Sequence, residues 1–341
     1  MYKYIAKKKA NLPQIWKDKI FTLTEFDDKS SLVEIDNEFD FKWIGLENNI
    51  YSFTILGDLI IYEVDNEYTL ARNLESLEMV YIFDNPITIF DENCDKNYYY
   101  HNTKKMGFIK FDYLKGKVNK VFLENRYNGL HKLLGDFLIL YRDKIISIHS
   151  KTNFSLLWQK DLSDITSYEY WGEFHQGNVK NVYLYENKLI VVAGNSVLAM
   201  NIETADILWQ IKYNDFQPFT LHINNHFAYL SKGTFYSVID LEKGEKVLET
   251  MLIRPFDHDP EYEKANLAMV GSDMTFYDNY LYFTDKHKGR YYLAKLNPHT
   301  AQIEEYQFLE EVKSNLAPPK FYDDKMFLLD SNNNLFIYER E

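Results

Sequence analysis

Cys94 is the only cysteine in the chain, which excludes an intrachain disulfide and a zinc site built on cysteine. It sits in the polar run DENCDKN, whose acidic neighbours disfavour a thiolate, so no redox or nucleophilic role is expected of it. No segment reaches the roughly 18 uninterrupted apolar residues of a membrane-spanning helix. Positive charge is in deficit: 38 Lys and Arg stand against 51 Asp and Glu, a net charge of −13. That balance argues against general affinity for nucleic acid or anionic membrane, because binding to phosphate is driven by clustered cations that release counterions. A partner with a basic surface fits better. There is no Gly-rich phosphate loop, no Gly-x-Ser-x-Gly elbow and no His-Glu-x-x-His, so nothing in the chain demands an enzyme, and no cofactor is expected. The N-terminal MYKYIAKKKANLPQIWKDK has lysines but no apolar run of signal length behind them. The expectation is a cytoplasmic monomer.

What the chain has in quantity is aromatic and β-branched sequence. The 28 Tyr and 24 Phe among 341 residues favour strands over helices and can fill a large core. The clearest unit is KLIVVAGNSVLAMNIETADILWQ, residues 188–210, which reads as strands at 189–193, 197–201 and 207–211. A Gly194-Asn195 turn and a polar Glu203-Thr204-Ala205-Asp206 turn separate them. LARNLESLEMVY (70–81) lies over LAMNIETADILW (198–209) without a gap. Taking the polar residue that closes the middle strand as a register mark, equivalents fall at Asp36, Asn73, Asp112, His149, Asn201, Asp240, Asn297 and Glu339. The intervals are 37, 39, 37, 52, 39, 57 and 42, a period near 40 with two enlarged steps. Each mark is preceded by an apolar run and a weaker earlier one, such as 50–56 or 179–185, giving four strands per unit. Antiparallel four-stranded units at this period predict an all-β fold, a single β-propeller over residues 1–341 with eight blades, seven being the alternative. The last unit lacks its fourth strand, and Tyr2 to Ala6 has no place in the first. We therefore expect the N-terminal strand to pair with the C-terminal blade and close the ring.

An apolar strand ending in Ala-x-Asn, a turn of type x-x-Thr-Gly, and then an apolar pair and Trp resembles the pyrroloquinoline quinone-like propeller repeat. The match is closest over Ala199 to Trp209, with Trp43 and Leu157-Trp158 echoing the terminal Trp and Lys115-Gly116 and Lys243-Gly244 echoing the turn glycine. Ala205 and Ala301 replace that glycine. The resemblance implies that these Trp side chains dock neighbouring blades. It points to the non-enzymatic branch, since many quinoprotein dehydrogenases carry an adjacent cysteine pair that this chain lacks. WD-repeat and kelch signatures do not recur.

Other constellations are thin. Adjacent Asp257, His258 and Asp259 rarely converge on one ion, and the His222/His226 spacing suits zinc on a helix whereas this segment reads as strand-turn-strand. The enlarged intervals place extra residues at 161–178, 254–265 and 285–290, which the alternation of connections puts on one face of the propeller. Two of these loops are aromatic: Tyr168, Tyr170, Trp171, Phe174 and His175 in one, Phe256, His258 and Tyr262 in the other. These are the expected partner-binding residues of a non-catalytic, protein-binding propeller, with a toxin-neutralising immunity protein as one concrete version. The rival expectation is a funnel-binding lyase, hydrolase or small-molecule binder using His175 or His258 as base, assisted by Asp257 or Glu173.

Overall fold

A computed structural model of the chain describes all residues except 27–28, 37, 45–48, 88–93, 95–97, 104–106, 124–128, 171, 215–216, 219–220, 233 and 253–273. Among the described residues the strands form eight antiparallel blade sheets and one small hairpin, and the fold is an eight-bladed β-propeller. Blade 5 is the unit read most clearly from sequence: Val179–Tyr185, Lys188–Ala193, Ser196–Asn201 and Ile207–Lys212, paired in that order. Blades 1, 2, 4, 6 and 7 repeat this order. Blade 3 holds Tyr98–Thr103, Gly107–Asp112 and Lys117–Leu123, with Cys94 bridging Tyr99 where a first strand would lie. In blade 8 the order is Tyr2–Lys9, Asn334–Arg340, Lys325–Leu329, Lys320–Tyr322, so the N-terminal strand takes the fourth place, as expected. Eight blades rather than seven is the outcome.

By contacts the chain falls into two compact units. One contains Met1–Ile5, Gly129–Asn332 and Ile337–Glu341; the other contains Ala6–Asn128 and Asn333–Phe336. Within each unit the core lies between successive blades. In the first unit, Ile190, Val192, Val197 and Ala199 of blade 5 meet Ala228, Leu230 and Ile239 of blade 6, all fully buried. In the second unit, Phe21, Leu23 and Leu32 of blade 1 meet Ile60, Tyr62 and Leu70 of blade 2. Second and third strands are buried on both faces, which is why their sequences run apolar without strict alternation; each such side chain contributes about 1.5–3 kcal/mol.

The register mark has a physical cause. At Asn73, Asp112, Asn201, Asp240 and Asn297 the side-chain oxygen accepts the backbone N–H groups two and three residues on, at 2.9–3.3 Å. This side-chain-closed turn places the residue four positions after the mark at positive φ: Leu77, Gly116, Ala205, Gly244 and Ala301. Asp36 closes a turn one residue shorter, its oxygen accepting the Glu38 and Asp40 N–H groups, with Phe39 at φ 63. In blade 4 the mark moves by one residue. Ser150, not His149, takes the role: its oxygen accepts Thr152 N–H, and Phe154 has φ 63. The turn glycine also serves packing. A Cβ on Gly244 would overlap the Trp209 ring of the preceding blade, and one on Gly116 would overlap Tyr81. Trp158 instead donates its indole N–H to the Ile202 carbonyl at 2.7 Å, where Ala205 supplies the turn.

Candidate protein-binding face

In an antiparallel blade the second-to-third turns and the blade-to-blade connections leave from one end, and the remaining turns from the other. The 161–178 connection shows how the first set is assembled. Leu162 N–H donates to the Lys144 carbonyl at 2.9 Å and Val179 N–H to the Asp143 carbonyl at 2.6 Å, so both ends are tied to the second-to-third turn of blade 4. Gly194 N–H, in the corresponding turn of blade 5, donates to Asn178 at 3.1 Å. Between these anchors, one helical turn, Ser163–Thr166, drops Leu162 and Thr166 into full burial. The Ser163 hydroxyl and amide both donate to Asp161, which holds that carboxyl below its usual range. Thr166 Oγ1 lies 2.7 Å from the Gly177 carbonyl, and Gln210 of blade 5 donates to Ile165 at 2.9 Å. Gly177 and Gly194 pack so closely on Thr166 that neither position has room for a Cβ.

On this base stands a two-stranded hairpin, Tyr168–Tyr170 with Glu173–His175, turned at Gly172 with φ 77. Tyr168 pairs across it with His175, their rings stacked with centroids 5.3 Å apart, and the Tyr168 ring edge approaches Gly194. Glu169 and Phe174 form the next pair, whose side chains point to the opposite face. Phe174 is 75% exposed, more than any other large apolar side chain described. The loop is thus a supported hairpin that presents one phenylalanine.

The expected site residues divide accordingly. Tyr168 and His175 come together and face the base. Phe174 faces out. Tyr170 lies on the hairpin, but its side chain and the whole of Trp171 fall outside the described residues. Phe256, His258 and Tyr262, with Asp257 and Asp259, also lie outside them. The third insertion forms the tip of the Tyr280–His287/Arg290–Leu296 hairpin in blade 7, closed by Lys288 and Gly289, both at positive φ. His222 and His226 occupy a strand and its turn, as read, and His222 Nε2 accepts Met274 N–H at 3.2 Å.

Sequence reasoning missed two features. The hairpin signal was the dipeptide Trp171-Gly172 between short runs of alternating aromatic and acidic residues. The other is a cavity of about 680 Å³ between blades 5 and 6, lined by Lys212, Tyr213, Lys232, Phe235 and Lys246. Its lysines come from separate strands, so no run of charge announced it. Beside it, half-buried Lys180 donates to the Gly194 and Pro218 carbonyls at 2.8 and 3.1 Å. Burial, and then the neighbouring Lys232 charge, push its amine down to about 8.

No family model matches the chain, and no curated protein matches it. Solved structures do match along its whole length. The computationally designed protein Ika8 has a TM-score of 0.67 at 10% identity, with 98% of both chains covered. The C-terminal WD40 domain of Sif2 has a TM-score of 0.66 at 9% identity, covering 100% of this chain and 99% of that one. BamB from Moraxella catarrhalis has a TM-score of 0.59 at 10% identity, covering 99% and 100%. At these identities the likeness shows the fold alone: the chain is similar in architecture to natural and designed β-propellers.

Proposed function

We propose that this chain is a non-catalytic propeller scaffold that engages another protein through the face carrying the 161–178 hairpin. The observation that carries the reading is Phe174, held out at 75% exposure on a hairpin whose base is pinned to the turns of two blades. A rigid support lowers the ordering cost of binding, and an aromatic on such a support is the composition of an interface anchor. The net charge of −13 favours a partner with a basic surface. The packing of Trp209 on Gly244 supports the further reading that the blades are pyrroloquinoline quinone-like repeats kept for their docking tryptophan, with no quinone bound.

The test is recovery of partners on immobilised protein, comparing wild type with Phe174→Ala and with Glu203→Ala on the opposite face. A partner held by wild type and Glu203→Ala but lost with Phe174→Ala supports the reading. A partner indifferent to Phe174, or dependent on Glu203, sinks it. A second reading, binding of a small anion, rests on the cavity of about 680 Å³ and on Lys212 and Lys232, since the third lysine, Lys246, is paired with Glu249 of the same lining. It predicts a co-purifying anionic metabolite in native mass spectrometry, lost on replacing Lys212 and Lys232 with Ala.

A further inference from the structure

Among the described residues each blade ends in an outer strand that pairs on one side only, and proteins guard such edges with charge. Every outer strand but one carries Lys or Glu within it, as do Lys42, Lys120, Lys160, Lys212, Glu249 and Glu305, and the N-terminal strand carries four lysines. The exception is Met79–Phe83 in blade 2, with the sequence MVYIF. It is also the most apolar where it meets solvent: Met79, Val80 and Ile82 are 52, 46 and 53% exposed.

Its geometry suits pairing. Tyr81 covers Gly116 of blade 3, and Phe83 packs on Phe111 in a tilted pair with centroids 4.9 Å apart, so alternate side chains fix the strand from one side. Val80 and Ile82 point the other way, into solvent. Past Phe83 the chain leaves the outer edge. The Thr69 hydroxyl donates to the Asn85 carbonyl and accepts Ile87 N–H, both at 2.8 Å, and Ile87 is buried. Over residues 84–87 the chain therefore runs inward, and among the described residues no strand pairs with the outer edge of Met79–Phe83.

The flanking charge says what fits there. Glu78 precedes the strand and Asp84 follows it, both exposed. A second copy paired antiparallel about Tyr81 would set Glu78 against Asp84 at each end, a like-charge opposition that disfavours self-pairing. We propose that Met79–Phe83 is a strand-addition site, taking an extended apolar segment of another protein with Lys or Arg at both ends. Main-chain hydrogen bonds would supply affinity, Val80 and Ile82 would receive alternate side chains, and Glu78 and Asp84 would set the register. This surface is independent of the Phe174 hairpin, and either assignment can fail without the other.

The probe is a fluorescein-labelled peptide of alternating Val and Thr bracketed by lysines, followed by fluorescence anisotropy on the full chain. Expected is saturable binding that weakens about tenfold with Ile82→Lys or Val80→Lys and is unchanged by Val247→Lys on an outer strand that is already charged. Ile82 and Val80 are exposed, so both variants should keep the wild-type unfolding midpoint. Two altered peptides test the idea without altering the protein: a central proline, which blocks pairing, and glutamates in place of the lysines should each abolish binding. Absence of saturable binding, or equal binding of the proline peptide, overturns the proposal. A concentration-dependent dimer in sedimentation velocity that Ile82→Lys dissolves would also overturn it, by making a second copy the occupant.

Discussion

Asn201 and Ala205 show how single residues write this fold. The Asn201 amide oxygen gathers two turn N–H groups and forces Ala205 to φ 64, a conformation that costs an L-residue roughly 1 kcal/mol. Ala205→Gly should therefore stabilise the protein by about 0.5–1 kcal/mol in urea denaturation. Gly244→Ala, at the equivalent position, should cost about 2–4 kcal/mol, because positive φ is compounded by overlap with Trp209. Lys180 sets a pH dependence. Its folded pKa of about 8 lies below the ordinary 10.5, so folding favours the neutral amine. Its penalty on stability is complete below pH 8 and fades as pH rises toward 10.5. The stability of wild type relative to Lys180→Met should accordingly rise between pH 7.5 and 9.5. A difference that falls over that range would reverse the assignment. The Asn and Asp marks were legible in sequence because the side chain that closes the turn is itself the signal. His149 was misplaced because Ser150 does the same chemistry one residue later.

At the scale of elements, blade strands were readable and the hairpin at 168–175 was not. Residues 188–193, 196–201 and 207–212 differ from the sequence reading by at most one residue at either end, because two-sided burial leaves long apolar runs bounded by turn residues. The hairpin Tyr168–Tyr170/Glu173–His175 has only three residues per strand, too short for its alternation of aromatic and acidic residues to mark a strand. Its stability comes from the base beneath it, a tertiary effect that no local pattern encodes. Gly177 is where that dependence is tested. A methyl group there has no room beside Thr166, so Gly177→Ala should release the segment 161–178 from blade 5 at a cost of about 1–3 kcal/mol. Hydrogen exchange should then show lost protection across 163–177, with Lys188–Lys212 still protected. Uniform loss across blade 5 would mean that the segment is integral to the blade rather than mounted on it.

For the molecule as a whole, the blade count and the closure were both legible, since a period near 40, an N-terminal strand with no place in the first unit and a last unit short of its fourth strand admit few other arrangements. Tyr2 is buried, and the Tyr2 N–H donates to Gln307 at 2.9 Å, so the first strand is held by side-chain contacts as well as by its ladder with Asn334–Arg340. Removing residues 1–9 strips that ladder and exposes an edge that includes Phe336, Ile337 and Tyr338. The truncated protein should unfold on the order of 5–10 °C lower in calorimetry and should aggregate at concentrations where the full chain does not. Partner choice was less legible, because an outward side chain is defined by the geometry of its support and by the chemistry of a surface the chain does not contain. The measurement that tests the account most directly is site-specific photo-crosslinking with a benzophenone analogue of phenylalanine at Phe174 and, separately, at Glu203. A discrete protein adduct is expected from position 174 and none from 203; an adduct from 203 alone, or from neither position, would overturn the assignment of the binding face.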